Sequence, residues 1–250
     1  NIIMQKFFVN DNQIIEEKAI ITGEDVRHIS NVLRMKVGEE LQIGNKQKVE
    51  SYIAEIERIE KDKVIAKLIE KCSINNEPNV DIDLYQGLPK ADKMEWIIQK
   101  TTEVGVNKII PVEMTRCIVK LDEKDAIKKI TRWQKVAEGA AKQSKRDKIP
   151  VIENKIKLPE LKEKIKEYDA FFIAYEEEEK NKLKEELKKI ENKEFYKIAV
   201  LIGPEGGLEK NEVNALKKDG AKVVTLGKRI LRTETAPIVI VSNILYELEK

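Results

Sequence analysis

Leu226-Gly-Lys-Arg-Ile-Leu-Arg-Thr-Glu-Thr-Ala236 is the stretch on which the fold turns. It sets glycine, arginine, threonine and glutamate between an apolar segment, Val223-Val-Thr-Leu226, and an apolar run that continues to Leu248. A second segment repeats the design: Ile198-Ala-Val-Leu-Ile202 runs straight into Gly203-Pro-Glu-Gly-Gly-Leu208. Residues 209–218 then place Val213 and Leu216 at helical spacing. Strands that end in glycine-rich loops and lead to helices are the units of a parallel α/β sheet. Ligands of such sheets lie beyond the carboxyl ends of the strands, so the two loops are expected to meet around one small molecule.

Outward from these loops, strands alternate with helices as far back as Val80. Val80-Asp-Ile-Asp-Leu-Tyr85 leads to a helix over residues 90–104, striped by Met94, Ile97, Ile98 and Val104 and stopped by Gly105. Lys108-Ile-Ile-Pro-Val112 and Ala170-Phe-Phe-Ile-Ala174 are strands; helices are expected over residues 122–145, 180–190 and 233–248. The Glu176 to Glu179 run reads as the solvated start of the 180–190 helix. The order predicts a mostly parallel sheet between helices. The first seventy residues follow a different pattern of short apolar segments: Phe7–Val9, Lys18–Ile21, Glu40–Ile43, Ser51–Ile56 and Val64–Ile69. Their period of two predicts a small β-barrel, interrupted by one helix with Thr22 as N-cap, Asp25 three residues later, and Val26, Ile29, Val32 and Leu33 on one face. Between the two patterns, Cys72-Ser-Ile-Asn-Asn-Glu-Pro-Asn79 collects turn formers, as a linker does. The boundary falls there, giving domains of residues 1–73 and 74–250.

Composition narrows the function. A chain of 250 residues with 47 Lys+Arg and 45 Asp+Glu has a formal charge of +2, which excludes a uniformly basic coat and permits a local patch. Between Arg116 and Lys148 there are eleven Lys/Arg and five Asp/Glu, in a segment that also holds Trp133, Gln143 and Ser144; residues 1–73 carry twelve basic and thirteen acidic side chains. A positive field of this kind suits nucleic acid, against the plainer reading of a solvated helix face. Cys72, Cys117 and a single histidine make neither a disulfide pattern nor a Cys/His zinc site, so a reducing cytoplasm and no metal are expected. No apolar run reaches the length of a membrane span, and the Ile2-Ile3-Met4 start is too short for a signal peptide.

The chain has no G-x-G-x-x-G after the first strand of its second domain, no G-x-x-x-x-G-K-[ST] and no G-x-S-x-G, which weakens dinucleotide, nucleoside triphosphate and acyl-hydrolase readings. His28, beside Arg27 and outside any triad, is read as structural or surface. The glycines of Gly203–Leu208 leave backbone groups open to a ligand, though an ordinary tight turn has the same composition. Arg229 and Arg232 bring positive charge to the same end of the sheet, and Thr233, Glu234 and Thr235 fall where helix caps and anion sites occur.

Together these segments resemble the bacterial small-subunit ribosomal RNA uracil-N3 methyltransferases, the RsmE family of the SPOUT methyltransferases. The resemblance covers nearly the whole chain. It is carried by His28 with Val32-Leu-Arg-Met-Lys-Val-Gly38, by Lys93-Met-Glu-Trp-Ile-Ile-Gln-Lys-Thr-Thr-Glu-Val-Gly105, by Arg132-Trp133 through Ala140-Ala-Lys-Gln-Ser144, and by the two glycine loops. It implies a PUA-like RNA-binding β-barrel, then a SPOUT α/β domain with a C-terminal trefoil knot, in a cytoplasmic homodimer that acts on small ribosomal subunit rRNA without metal. Pro237, in the first turn of the last helix, is a tolerated departure.

The resemblance further implies S-adenosylmethionine as ligand, held by the knot loops: Leu201, Gly203, Pro204, Gly206, Gly207, Leu226, Gly227, Ile230, Leu231, Thr233, Thr235 and Ala236. Uracil N3 must lose its imide proton, and charge then collects on O2 and O4. Arg232 is the first candidate to stabilise that charge. Glu205 and Glu234 are candidates to accept the proton, or else to orient Arg232 or the ligand. Arg27, Arg34, Arg116, Lys142, Lys145 and Arg146 are the expected RNA-facing cations. Two alternatives stand beside this reading: a SPOUT ribose 2′-O-methyltransferase, separable by whether base or sugar is methylated, and a non-catalytic RNA-binding ribosome-assembly factor, for which the Glu205 and Arg232 loops would be needless.

Overall fold

The computed structural model describes residues 4–73 and 76–250; Ile2 and Ile3 of the start and Ile74 and Asn75 of the expected linker lie outside the described residues. The chain divides into two compact units, residues 1–77 with 141–149 and residues 78–140 with 150–250.

In the first unit, β1 (Lys6–Val9), β2 (Ile14–Ile15), β3 (Lys18–Thr22), β4 (Glu40–Asn45), β5 (Glu50–Ile59) and β6 (Lys63–Lys71) form one curled sheet in the order β1-β4-β5-β6-β3-β2. The period-two residues point inward: Ala19 and Ile21 lie opposite Ala66 and Val64, and Leu41, Ile43, Ala54 and Ile56 complete the core. Register shifts in β5 at Ile53/Ala54 and Ile56/Arg58 let the sheet bend. The expected barrel is a half-barrel, because β1 and β2 stand at the two ends of the strand order.

The helix is also shorter than its periodicity suggests. α1 (Glu24–Arg27) passes into a π turn at His28–Val32. Thr22 is not its N-cap: pairing with Lys63 holds Thr22 extended in β3, and Gly23, at φ 74°, takes the cap position and turns the chain. His28 is exposed and sits edge-on to Phe7 at 6.2 Å, in keeping with a surface role.

Residues 141–149 join this unit through buried charge. Lys6 donates to Asp147 at 2.6 Å with side chains 0% and 3% exposed, Ser51 Oγ bonds the same carboxylate, and Asn76 N–H donates to its other oxygen at 2.8 Å. Next to it, Arg146 forms an ion pair with Glu77, whose Oε1 also accepts the backbone N–H groups of Asp147 and Lys148. Burial opposes ionisation of Asp147, but Lys6, Ser51 and Asn76 outweigh it and hold the carboxyl below the usual carboxylate range.

The second unit is a parallel sheet. β7 (Val80–Gly87), β8 (Lys108–Glu113), β9 (Val151–Ile152), β10 (Ile156–Lys157), β11 (Ala170–Ala174), β12 (Tyr196–Ile202) and β13 (Lys222–Val224) run in the order β10-β8-β7-β12-β11-β13, with β9 also on β8. Its central strands are buried on both faces, which is why they read as unbroken apolar runs. Pro111 is tolerated in β8 because it falls between the residues paired with β9 and those paired with β10. The helices are α2 (Lys93–Val104), α3 (Glu123–Gln143), α4 (Leu161–Lys164), α5 (Leu183–Leu187), α6 (Lys210–Lys218) and α7 (Ala236–Leu248).

Several expected boundaries contract. Residues 90–92 precede α2, Lys145 leaves the helical region at φ 58°, and only Leu183–Leu187 of residues 180–190 is helical. The Glu176 to Glu179 run is not a helix start; it is a turn in which Glu178 accepts the N–H groups of Lys180 and Asn181. Leu226 lies beyond β13, and Thr233–Thr235 form a turn ahead of α7, held by Thr235 N–H and Ala236 N–H on Arg232 O. From the edge strand β13 the chain thus returns to the middle of the sheet, where α7 packs on α2, β7 and β12.

The buried pair sets the first prediction. Asp147→Ala leaves the Lys6 ammonium buried and alone, and should lower unfolding free energy by about 3–5 kcal/mol in urea titrations, whereas Lys6→Met/Asp147→Leu recovers most of it. Because the folded carboxyl is lowered, its contribution is present above the unfolded value and disappears as pH falls through the folded one; the double variant should lack this acid loss.

Candidate active site

The carboxyl ends of β11, β12 and β13 open onto a cleft of about 540 Å³. Its walls come from three loops: Ala174–Glu176 after β11, residues 202–207 after β12, and residues 225–234 between β13 and α7. Lys93, the first residue of α2, closes one side.

One buried hydroxyl joins these parts. Thr233 Oγ1 donates to Gly203 O at 2.7 Å and accepts from Gln86 Nε2 at 3.0 Å, while Gln86, fully buried at the end of β7, also donates to Gly87 O. The remaining amide oxygen of Gln86 has no hydrogen-bond partner among the described residues. Gly87 is glycine because loop 203–207 lies directly on it: a Cβ there would stand 2.7 Å from Pro204 N and Cδ. The loop itself is a turn closed by Gly207 N–H on Pro204 O at 2.9 Å, with Gly207 at φ 69° and its Cα against the carboxylate of Glu176.

The structure brings most of the expected ligand residues together. Gly203, Pro204, Gly207, Leu226, Gly227, Ile230, Leu231, Thr233 and Ala236 line the cleft. Leu201 is buried in β12 beneath it, Gly206 turns its carbonyl outward to Arg116 Nη1 at 2.9 Å, and Thr235 is at the start of α7 without a side-chain cap bond. Ile230 is 85% exposed, so it offers an apolar side chain to whatever enters. The cleft suits a ligand with a flat heterocycle: open backbone at the glycines, apolar side chains beside it, and room that a Cβ at Gly207 would remove.

Glu205 and Glu234, expected as separate candidates, face a common cation. Lys93 Nζ lies 3.2 Å from Glu205 Oε1 and 3.2 Å from Glu234 Oε2. Glu234 and Glu205 both raise the Lys93 ammonium above its ordinary value. For Glu205, burial acts upward, but its own N–H, Lys90 N–H and Lys93 leave the carboxyl lowered. Arg232 is 82% exposed, with Nη1 4.0 Å from Glu234 Oε1, so its guanidinium projects from the wall toward solvent.

Lys93 and Gln86 are the residues that sequence did not single out. In a chain this rich in lysine, Lys93 looks like any helix-surface cation; its signals are its position at the head of the Lys93–Gly105 segment and in the first turn of α2, at the same sheet end as the loops. The expected RNA-facing cations separate. Arg27, Arg34, Arg116 and Lys145 are exposed. Arg146, at 4% exposed and paired with Glu77, is not a surface group, and Lys142 is paired with Asp25 at 2.8 Å. Trp133, expected as a stacking ring, is 4% exposed and belongs to the core of its unit. Helix periodicity turns Trp133 to the inner face of α3, whereas Arg146 lies beyond the helix and is buried by its pairing with Glu77. Among the described residues no group of three His, Cys, Asp or Glu is placed to hold a metal ion, and no helix is long and apolar enough to cross a membrane.

The cleft lies at the carboxyl end of a parallel sheet, in a chain that also carries a curled β unit, and similarity sets this arrangement among the RNA methyltransferases. Residues 75–245 match the RNA methyltransferase domain family and residues 21–69 the RNA methyltransferase PUA domain family. Ribosomal RNA small subunit methyltransferase E of Bacillus subtilis (strain 168) is 39% identical over 98% of this chain and 98% of its own. Among solved structures, ribosomal RNA small subunit methyltransferase E from Neisseria gonorrhoeae bound to S-adenosyl methionine superposes with a TM-score of 0.87 at 30% identity, covering 98% of each chain. A Legionella pneumophila methyltransferase in complex with SAM does so with a TM-score of 0.87 at 28% identity over 99% of each. The chain belongs to the ribosomal RNA small subunit methyltransferase E family.

Of the two readings open for the glycines of this loop, ligand access and a tight turn, the positive φ of Gly207 and its N–H on Pro204 O establish the turn. Gly207→Ala should therefore lower stability by roughly 1–2 kcal/mol from the left-handed backbone alone. The Cβ would also strike the Glu176 carboxylate, a separate cost, so adding Glu176→Ala should relieve the clash and leave the backbone loss, as read in urea titrations. Full restoration would show that the turn does not need glycine.

Proposed function

We propose that this protein transfers the methyl group of S-adenosylmethionine to N3 of a uridine in small-subunit ribosomal RNA. The observation that carries this is the single cleft in which two glycine loops, the Arg232 guanidinium and the Lys93-bridged carboxylates face one another. S-adenosylmethionine supplies an electrophilic methyl carbon on a positively charged sulfur. The chain supplies the rest. Gly203, Gly207, Leu226, Ile230 and Leu231 line the cleft together with Pro204, Gly227, Thr233 and Ala236; in this reading their backbone groups bond the adenine and ribose edges. A glutamate of the cleft receives the N3 proton, and Arg232 offers paired donors to the uracil oxygen on which charge collects. The target base must leave its stack to reach the cleft, at an energetic cost met by protein contacts.

Residues 1–73 act in this proposal as a PUA-like RNA-binding domain and residues 74–250 as the methyltransferase domain; the PUA and methyltransferase matches, residues 21–69 and 75–245, support that division. Arg27, Arg34, Arg116 and Lys145 are the cations offered to RNA phosphates. The protein works as a homodimer in the cytoplasm, and the return of the chain from β13 to α7 is the segment that a C-terminal trefoil knot would use.

Mass-spectrometric nucleoside analysis of small-subunit rRNA from cells lacking this gene, with and without the purified protein and cofactor, tests the reading. Loss and restoration of 3-methyluridine is the expected result; a methyl on ribose, or none, contradicts it. Arg232→Ala should lower single-turnover rate by roughly 10²-fold or more, the scale of one lost preorganised donor, with S-adenosylmethionine affinity by calorimetry little changed. Arg232→Lys should recover part, since a point charge lacks the planar fork.

A further inference from the structure

Glu205 and Glu234 are not equivalent in this cleft. Glu205 is committed: its Oε1 accepts Lys90 N–H at 3.0 Å and lies 3.2 Å from Lys93 Nζ, which ties the loop after β12 to the approach of α2. Among the described residues, no backbone N–H group donates to Glu234. Its Oε2 is buried toward Lys93, and its Oε1 lies 4.0 Å from Arg232 Nη1. The charged groups facing Glu234 are thus Lys93 from α2, Glu205 from the loop after β12 and Arg232 from its own loop, with Glu176, Lys228 and Arg229 further round the cleft.

The uracil edge to be methylated presents O2, the N3 proton and O4 in a row, an acceptor, a donor and an acceptor. A carboxylate oxygen beside a guanidinium is the complement of two neighbouring positions in that row. We infer that Glu234, through Oε1, accepts the N3 proton, and that Lys93 is the positioning residue that holds Glu234 turned toward the base. This rests on the proposed uridine methylation. The proton passes from N3 to Glu234 and the N3 electron pair forms the new bond to the methyl carbon. The carbon–sulfur bond breaks with its electrons left on sulfur, so the cofactor departs as neutral-sulfur S-adenosylhomocysteine, and the carboxyl later loses its proton to water. Arg232 balances charge on the adjacent oxygen throughout. With two carboxylates and one ammonium, the cluster stays anionic overall, and the ammonium between them is what lets the two carboxylates stand side by side.

The test uses the full-length protein and small ribosomal subunits from cells lacking this gene. Glu234→Gln should lower single-turnover rate by roughly 10²-fold or more, the range of a lost general base, with cofactor affinity by calorimetry within threefold. Glu205→Gln, which removes a bracket and not the acceptor, should cost less than tenfold in rate. Lys93→Met should move the rising limb of the pH–rate profile to higher pH, and Lys93→Arg should return it. A second readout needs no turnover: in protein labelled with ¹³C at glutamate carboxyls, the resonance that Glu234→Gln removes should titrate at higher pH in Lys93→Met than in the unaltered chain. A Glu234→Gln protein that keeps its rate, with Glu205→Gln losing it, overturns the assignment of the acceptor. An unmoved titration in Lys93→Met overturns the role of Lys93. Absence of N3 methylation by the unaltered protein would instead refute the proposed function and is seen separately.

Discussion

The hydroxyl of Thr233 is the interaction on which the site depends. It is 8% exposed, donates to Gly203 O and accepts from Gln86, and so fastens the loop before α7 to the loop after β12 and to the end of β7. Lys93 also touches both loops, through Glu205 and Glu234, but from their open side; the buried bond between them is that of Thr233. The return from β13 places residues 225–234 across the ends of strands that precede them in the chain, and the threonine is where that crossing is held. A buried hydroxyl with both its donor and an acceptor position used is costly to unmake, because the partners lose bonds that water cannot replace. The cleft, the guanidinium of Arg232 and the side chain of Glu234 all stand on the segment that this one residue anchors.

Charge in the cleft follows from the same geometry. Glu234 is one residue beyond Thr233, and Glu205 is two beyond Gly203, so holding the loops together sets two carboxylates side by side. Like charges this close need a cation, and Lys93 meets both at 3.2 Å. The first residue of α2 is therefore part of the site although α2 is otherwise a packing helix, buried along Met94, Ile97, Ile98, Thr101 and Thr102. In the other unit the same rule serves stability: Lys6 and Asp147 are buried and matched, with Ser51 and Asn76 taking up the remaining carboxylate capacity.

The sheet could be read from sequence because strands buried on both faces are unbroken apolar runs; Ile198–Ile202 and Ala170–Ala174 are found where expected. Both glycine loops were legible for a second reason, since their composition is poor for packing. What sequence did not give is whatever depends on partners distant in the chain. Thr233–Thr235 looks like a helix cap, yet tertiary bonds to Gly203 and Gln86 pull Thr233 out of the helix, which begins at Ala236. Arg146 looks like a surface cation in a basic run, and Glu77 buries it. Lys93 is indistinguishable from its lysine neighbours until two loops deliver carboxylates to it. The curl of the first sheet shows a related limit: period two reveals which strands share a core, not whether the first and last strands pair.

The most direct measurement is cofactor affinity in Thr233→Val compared with Thr233→Ser, by calorimetry on the full-length protein, with melting temperature recorded beside it. Valine keeps the volume and removes the hydroxyl, whereas serine keeps the hydroxyl. If the Thr233 bridge holds the two loops around one ligand, Thr233→Val should lose about tenfold or more in affinity, since an unsatisfied buried partner costs roughly 1–3 kcal/mol, while Thr233→Ser binds nearly as the unaltered chain does. Unchanged affinity in Thr233→Val would show that the loops hold their places without the bridge, and would contradict the account.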